Sequence, residues 1–463
     1  MKHTLGNFLV RPLLYIFVCF CYAVSSHASA ILPQTQVYLD SVDNINAAAL
    51  GIYIEEIGTG NVVLDINGEL PLVPASTTKV ITVASLFTSG NINSTFTTEV
   101  YIQGPVADSI LKGNIIVSCS GDPTLESSHF KEQNGFPDAL AKAIAALGID
   151  SIKGQIIIES PDWIGTKQPA GWKDDDFTWP YGAGYLPVNF ADNSMSVTLS
   201  RNEAPVCNPA VPGATFRRVS RKGSGIERRR DSHVYTFYHS SSKPATIRIA
   251  NGSPVSSLRQ SVLRSLESAG IGVGELQIKG DRKKRTLVYT HNSAPFHQIM
   301  KSLMLRSDNM MAEAMLRQIA PGQSRKEALA RQKLLWTERG IDFSDIVIED
   351  GSGLSRNNRI TPYFMADILA WMLESCPDFM DFYNFFPIAG RSGTLRSFLK
   401  DTPLDGRLRA KTGSLNGVQC YAGYATDPLG VPTHIVVIMI NGFKGERATL
   451  KKQLERLLIE KIQ

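Results

Sequence analysis

Hydrophobic positions near the start of the chain predict a β-hairpin followed by a buried helix. Apolar residues recur across 48–67 on both sides of a Gly-Thr-Gly turn at 58–60, which is typical of two antiparallel strands. After a loop, the segment from Ser76 to Phe87 is apolar on nearly every face and ends before Ser89-Gly90. A helix without a polar face is typical of a protein interior, so we expect this one to be buried.

The pattern changes twice along the rest of the chain. Over 91–259, short β-like runs alternate with Gly, Pro and Asp loops, and one Ala-rich helix is predicted over 138–147. From about 260 helices return, and the chain closes with strands on both sides of the turn Asn416-Gly417. With 463 residues, two or three domains are expected. We predict a protein that mixes helices and strands (α/β in the broad sense, α+β in detail). It would have a discontinuous domain over 31–90 and 260–463 and small inserted domains over 91–259.

The last predicted element is a helix from Arg447 to Ile462 with two different faces. Four leucines share one face, and the other face is basic; they are Leu450, Leu454, Leu457 and Leu458. Packing of this apolar face on a sheet is the preferred interpretation. A helix lying on a membrane surface, and thus a peripheral membrane association, is the alternative.

The first thirty residues have the features of a secretory signal peptide. Lys2 and Arg11 are basic, Leu13 to Val24 is an apolar run too short to span a bilayer, and Ala28-Ser29-Ala30 is a cleavage site. The mature chain would begin near Ile31, in the periplasm of the cell envelope. An N-terminal membrane anchor is the alternative, and no lipidation is predicted.

Charge and cysteine content exclude several classes of function. The net charge is +5, of which two positive charges lie in the predicted signal peptide, so no nucleic-acid partner is implied. The cysteines outside the predicted signal peptide show no metal-ligand spacing, and neither a metal nor a cofactor is predicted. In an exported protein these four residues either form disulfides, in one of three pairings, or stay as free thiols: Cys119, Cys207, Cys376 and Cys420.

A basic cluster stands out within the predicted insertion. The cluster contains seven basic residues and one acidic residue, Glu227. The basic residues are Arg217, Arg218, Arg221, Lys222, Arg228, Arg229 and Arg230. The preferred interpretation is a solvated hairpin. A contact with an anionic polymer of the envelope is the alternative.

Three short motifs in a fixed order carry the candidate chemistry: Ser76-Thr77-Thr78-Lys79, Ser307-Asp308-Asn309 and Lys411-Thr412-Gly413. Serine and lysine three positions apart occur elsewhere in the chain by chance. The context of the first pair is more informative, because Ser76 begins the buried helix and Lys79 lies on the same face. The second motif lies between two helices, and the third lies on a strand that ends at a tight turn.

These residue types are those needed to open an amide through a serine acyl-enzyme. We predict Ser76 as the nucleophile and Lys79 as its base, which requires a pKa lowered by burial and by a nearby cation, Lys411. Ser307 would relay a proton to the leaving amine. Asn309 would hydrogen-bond the substrate amide and orient the base.

The third motif is predicted to bind substrate. The hydroxyls of Thr412 and Ser414, with Lys411 and the strand through Gly413, would hold a terminal carboxylate. Backbone N–H groups of Ser76 and Ser414 would form the oxyanion hole.

Beyond the motifs, the mature chain resembles the class C low-molecular-mass penicillin-binding proteins. Three more stretches match, at 121–125, 350–356 and 393–395, and the 228 positions from Lys79 to Ser307 leave room for that family's inserted domains. The resemblance implies a five-stranded antiparallel sheet flanked by helices. It also implies D-alanyl-D-alanine carboxypeptidase or endopeptidase activity on peptidoglycan peptides, and β-lactams as inhibitors.

The resemblance suggests one more site residue. Some members carry an aspartate in an inserted domain that contacts the free ammonium of diaminopimelate, and Asp176 is the best positional match here. No stretch matches the deacylating glutamate loop of class A β-lactamases. The acyl-enzyme formed with penicillin is therefore expected to be hydrolysed slowly. A β-lactamase or esterase, and a catalytically silent scaffold, are the alternatives. The oligomeric state is left open.

Overall fold

The computed structural model describes residues 50–278 and 284–462. The predicted signal peptide therefore lies outside the described residues. The strands in chain order are β1 Leu50–Glu56, β2 Val62–Ile66, β3 Thr97–Gln103, β4 Val106–Ala107, β5 Ile110–Leu111, β6 Asn114–Ser118, β7 Ser151–Ile152, β8 Ile156–Glu159, β9 Ser194–Leu199, β10 Val206–Asn208, β11 Thr215–Arg218, β12 Ser224–Arg228, β13 Val234–His239, β14 Ala245–Ala250, β15 Gly272–Val273, β16 Arg285–Asn292, β17 Leu408–Leu415, β18 Val418–Thr426 and β19 Pro432–Asn441.

The α-helices are fewer and mostly follow the insertion. In chain order they are α1 Thr78–Phe87, α2 Phe136–Ala146, α3 Pro254–Ser268, α4 Phe296–Arg306, α5 Asn309–Arg317, α6 Arg325–Thr337, α7 Pro362–Ser375, α8 Phe379–Tyr383 and α9 Arg447–Ile462. Among the described residues, no helix has the length and apolar character that a membrane crossing requires.

The central sheet joins the two ends of the described chain. Its strand order is β17-β18-β19-β1-β2, and every neighbouring pair is antiparallel. The predicted five-stranded antiparallel sheet is therefore confirmed. Strand β19 shows why both faces are covered: Ile435, Val437 and Met439 join one hydrophobic core, whereas Val436, Ile438 and Ile440 join the other. This alternation follows from the two-residue period of a strand.

Helices cover each face of this sheet. Helix α1 is buried along its whole length in the core that also contains α4, α5 and α7. The leucine face of α9 packs in the core on the opposite face of the sheet. The preferred interpretation of the terminal helix is confirmed, and the alternative of a membrane-bound apolar face is wrong because the sheet covers that face.

The inserted segment forms four small sheets, ordered β16-β3-β6-β8, β15-β7-β5-β4, β10-β9-β14 and β11-β13-β12. Two separate hydrophobic cores lie beneath them. Helix α3 runs across the predicted boundary at 259–260, and β16 pairs with β3 of the insertion. The division into domains remains a prediction, but strand pairing moves its second boundary to about residue 293, because β16 completes the inserted sheet.

The basic cluster is not a simple solvated hairpin. Strand β12 pairs antiparallel with β13, as a hairpin would, but β11 pairs parallel with the other edge of β13. Arg228 is buried, with 7% of its surface exposed, and Arg230 is half-buried. The prediction of a solvated face is wrong for these two arginines, since both are used to hold a neighbouring loop.

The four described cysteines are free thiols. Burial raises the pKa of the Cys119 and Cys420 thiols to about 12, so both are protonated at neutral pH. The structure therefore agrees with the alternative of four free thiols.

Candidate active site

The first motif lies on a tight turn that leads into α1. Residues Ala75–Thr77 form one 3₁₀ turn, and the Thr77 and Thr78 hydroxyls donate hydrogen bonds to the carbonyls of Pro74 and Ala75. These bonds use the side chains of the turn to fix its backbone. Ser76 is thereby held where the positive end of the helix dipole favours developing negative charge.

Lys79 is completely buried beside Ser76. Its Nζ donates to Ser76 Oγ at 3.0 Å, to Asn309 Oδ1 at 2.6 Å and to the carbonyl of Ser352 at 2.6 Å. Burial lowers the pKa of Lys79 to about 8, against the opposing effect of three nearby carboxyl groups. About a tenth of the amine is therefore neutral at pH 7 and able to accept a proton.

The second and third motifs meet through another serine–lysine pair. Lys411 Nζ donates to Ser307 Oγ at 2.9 Å and to the carbonyl of Thr412 at 2.7 Å. Burial, and next the charge of Lys79, hold the pKa of Lys411 well below its usual range. Ser307 has a left-handed backbone, φ 62°, which costs a residue with a side chain about 1 kcal/mol or more. That conformation ends α4 and turns the serine toward the lysine.

Asp308 has a structural role between the two pairs. Its Oδ1 accepts a hydrogen bond from the Met311 backbone N–H at 2.8 Å and so caps α5. Because Asn309 is the first residue of that helix, the cap fixes the position of the amide that contacts Lys79.

The other predicted substrate-binding residues lie on the edge strand β17 of the central sheet. Thr412 Oγ1 donates to Thr394 Oγ1 at 2.8 Å, and Ser414, which is exposed, donates to Gln419 Oε1 at 3.2 Å. Gly413 lies against the turn that carries Ser76: a Cβ here would be 2.5 Å from the Pro74 carbonyl oxygen. Only glycine allows this strand to pass so close to Ser76.

The sequence did not predict the residues outside the three motifs that support Lys79. Ser352 supplies a carbonyl acceptor, and its own N–H donates to Glu313 Oε1 at 2.9 Å. Burial raises the pKa of Glu313 to about 7. The stretch 350–356 is a match to the family in sequence, but the sequence assigned no role to these residues. Glu313 gave no signal, because it is one polar residue within an apolar helix.

A second buried acid organises the same segment. Asp350 accepts hydrogen bonds from the backbone N–H groups of Gly353 and Ser355, at 2.8 and 2.7 Å. It also accepts from Trp172 Nε1 at 2.8 Å, which ties the insertion to the active site. The segment that holds Lys79 is therefore fixed both by the catalytic domain and by the insertion.

Asp176 lies close to this site. It belongs to a short 3₁₀ helix, Asp174–Thr178, and its Oδ1 accepts a hydrogen bond from the Tyr181 hydroxyl at 3.1 Å. The carbonyl of Tyr181 in turn accepts from Asn309 Nδ2 at 2.9 Å. Two hydrogen bonds, one on each side of Tyr181, therefore connect Asp176 to the side-chain amide of Asn309. Within the described residues, no group of side chains has the composition of a metal site.

The fold and the site together define a class of protein: a serine enzyme of the penicillin-binding fold, with two serine–lysine pairs around one amide side chain. The model of the D-Ala-D-Ala carboxypeptidase 3 (S13) family matches residues 34–460. The chain belongs to this family, and so it is a serine-type D-alanyl-D-alanine carboxypeptidase, as the sequence predicted.

Individual relatives agree over nearly the whole chain. The chain is 26% identical to the D-alanyl-D-alanine carboxypeptidase DacB of Haemophilus influenzae, over 95% of this chain and 98% of that protein. It is 25% identical to the D-alanyl-D-alanine carboxypeptidase of Actinomadura sp. strain R39, over 91% and 84%. The crystal structure of penicillin binding protein 4 (dacB) from H. influenzae matches with a TM-score of 0.77 at 25% identity, over 92% and 98%. That protein has also been solved with a β-lactam bound.

Proposed function

We propose that this exported enzyme hydrolyses D-alanyl-D-alanine bonds of peptidoglycan peptides in the periplasm through an acyl-enzyme on Ser76. One observation carries the proposal: the fully buried Lys79 amine lies 3.0 Å from Ser76 Oγ, and its pKa is lowered to about 8. A neutral amine at hydrogen-bond distance from a hydroxyl is the arrangement that general-base activation requires.

In the first half of the reaction, Lys79 takes the proton of the Ser76 hydroxyl while Oγ bonds to the substrate carbonyl carbon. The carbon–nitrogen bond then breaks, and the proton that Lys79 took passes through Ser307, which lies 2.9 Å from Lys411 Nζ, to the leaving D-alanine amine. In the second half, the neutral Lys79 takes a proton from water while the water oxygen bonds to the ester carbonyl carbon. The bond from that carbon to Ser76 Oγ then breaks, and Lys79 returns the proton to Oγ. Asn309 holds the lysine and presents its amide to the peptide backbone of the substrate.

The edge strand β17 is suited to bind the end of an extended peptide. The terminal carboxylate would contact the hydroxyls of Thr412 and Ser414 and the ammonium of Lys411. A carboxylate beside Lys411 raises the pKa of that amine again, so substrate binding and charging of Lys411 favour each other. The N–H groups of Ser76 and Ser414 would then stabilise the oxyanion.

Asp176 is proposed to bind the free ammonium of diaminopimelate. Its hydrogen bond with Tyr181 and the link through Asn309 support this role. Replacement of Asp174, Asp175 and Asp176 singly by Asn tests the assignment. We expect only Asp176→Asn to lose most of its preference for peptides with a free diaminopimelate amine over the N-acetylated form. Equal preference in all three variants and the wild type would refute it.

The balance between two peptidase activities is open to direct measurement. Digestion of purified muropeptides, analysed by liquid chromatography, separates loss of terminal D-alanine from cleavage of D-alanyl-diaminopimelate cross-links. We expect the wild type to release D-alanine, and Ser76→Ala to release neither product. D-alanine release by Ser76→Ala would exclude the proposed nucleophile.

A further inference from the structure

A second concave site lies away from the catalytic residues. A cavity of about 410 Å³ opens between the loop 166–170 and the segment 228–233, with Asn251 and Gly252 at one side. We call it the insertion cavity. Three cations line it, Lys167, Arg228 and Arg230, against one acid, Asp231. The walls of the insertion cavity are therefore predominantly positive.

The most unusual group on this wall is Arg228. The residue is only 7% exposed, and its Nη1 and Nη2 donate only to backbone carbonyls, those of Ser232 at 3.3 Å and Phe177 at 2.7 Å. Its Nε has no hydrogen-bond partner, and no ion pair joins the guanidinium to a described residue, although the charge of Asp231 favours its charged form. A buried cation without a directly bonded anion is costly, and a bound anion would offset that cost.

The cavity is also connected to the proposed substrate site. Besides its bond to Phe177, Arg228 exchanges two backbone hydrogen bonds with the Thr178 hydroxyl, which belongs to the Asp176 helix. Arg230 Nη2 donates to the carbonyl of Trp172 at 2.8 Å, and its guanidinium stacks 4.5 Å over the ring of Phe177. Two arginines of the cavity wall thus hold the helix that carries Asp176.

The opposite wall leads to the catalytic network. The carbonyl of Lys167 accepts a hydrogen bond from Arg325 Nη2 at 2.7 Å, and Arg325 Nε lies 3.4 Å from Glu313 Oε2. Glu313 in turn holds the backbone of Ser352, whose carbonyl binds Lys79. Residues that line the cavity are therefore hydrogen-bonded both to the Asp176 helix and, through Arg325 and Glu313, to the segment whose carbonyl binds Lys79.

From these observations we propose that the insertion cavity binds an oxyanion, and that this oxyanion is a carboxylate of the peptide substrate remote from the bond that is cut. Its oxygens would accept from Lys167 Nζ and lie beside the Arg228 guanidinium, since both residues line the cavity. The choice of source rests on the proposed function, because stem peptides carry free carboxylates along their length. A free inorganic anion has the same chemistry and is the other source.

Calorimetric titration with two peptides tests the proposal. The probes are the stem tripeptide L-alanyl-γ-D-glutamyl-diaminopimelate and its glutamyl α-amide, and inorganic phosphate is titrated in parallel. We expect the carboxylate peptide to bind the wild type about tenfold tighter than the amide, as for one charge-assisted hydrogen bond. That ratio should fall below about three in Arg228→Gln and in Lys167→Ala, whereas Lys222→Ala, an exposed cation outside the cavity, should keep it.

The outcomes separate the site from the function. Phosphate binding that both cavity variants lose, without discrimination between the peptides, would support the oxyanion site with a free anion as its source. Unchanged ratios and unchanged phosphate binding in Lys167→Ala and Arg228→Gln would overturn the proposal. Acylation by benzylpenicillin, measured on the same samples, reports folding and the proposed function independently. A Lys167→Ala variant that acylates at the wild-type rate but loses the ratio would locate the effect in the cavity, whereas Arg228 also holds the Asp176 helix.

Discussion

At the scale of single residues, the proposed reaction depends on the charge of Lys79. Burial removes the solvent that would stabilise its ammonium, whereas the carboxyl groups of Asp350, Asp308 and Glu313 favour that ammonium. The two opposing effects together lower the pKa of Lys79 to about 8, so the amine changes from charged to neutral within the accessible pH range. Catalysis should therefore depend on pH in a range that is easy to measure.

The second-order rate constant of acylation by benzylpenicillin should rise with pH. Only the neutral amine accepts the Ser76 proton, so the rate should rise about tenfold per pH unit below pH 7 and level off above about pH 8. Stopped-flow or quenched mass measurements from pH 5.5 to 9.5 give the profile. A rate that falls with rising pH over this range would contradict Lys79 as the base.

Glu313→Gln provides a second test of the same electrostatics. Removal of this carboxylate takes away one group that stabilises the ammonium, so the rise in rate should move to lower pH. Because the pKa of Glu313 itself is about 7, the effect should be clearest above pH 7. Glu338→Gln, at an exposed position, is the control. A profile that moves to higher pH would reverse the inferred role.

At the scale of elements, local signals and distant contacts were predictable to different degrees. The sequence predicted α9 at its observed bounds and placed the β17–β18 turn, because periodicity and Asn-Gly turns are local. It did not predict that β16 returns to pair with β3, nor that the carbonyl of Ser352 would contact Lys79. Both contacts join residues far apart in sequence, and a backbone carbonyl leaves no trace in residue type.

Gly413→Ala tests the closest approach between two of these elements. The added Cβ would meet the Pro74 carbonyl oxygen at 2.5 Å, so β17 and the turn that carries Ser76 must separate. We expect acylation to slow at least tenfold, with Tm lower by several degrees. Gly272→Ala, where nothing lies within 4 Å, should change neither quantity. Wild-type acylation by Gly413→Ala would show that this packing does not matter for the site.

At the scale of the whole molecule, the insertion is part of the active-site support. Trp172 donates to Asp350, Arg325 binds the carbonyl of Lys167, and Arg317 donates to that of Ile164 at 3.3 Å. These contacts join residues of the predicted insertion to residues of the predicted catalytic domain. The sequence predicted the three motifs and the insertion, but not that the insertion supports the site, because such contacts depend on tertiary packing.

Trp172→Phe tests this support. The ring still packs near Phe177, but Asp350 loses one donor, which should cost about 1 kcal/mol. We expect lower Tm and slower acylation, because the 350–355 segment positions the Ser352 carbonyl. Trp179→Phe, at an exposed tryptophan, is the matched control. Equal effects of the two substitutions would argue against a specific role of the Trp172 hydrogen bond.

Intact-protein mass spectrometry after incubation with benzylpenicillin tests directly whether Ser76 is the nucleophile of a penicillin-sensitive peptidase. We expect a lasting one-to-one adduct on the wild type and none on Ser76→Ala. We also expect slow release, since the sequence shows no deacylating glutamate loop. Rapid turnover without an adduct would indicate a β-lactamase. An adduct on Ser76→Ala, or no reaction of the wild type, would contradict this assignment.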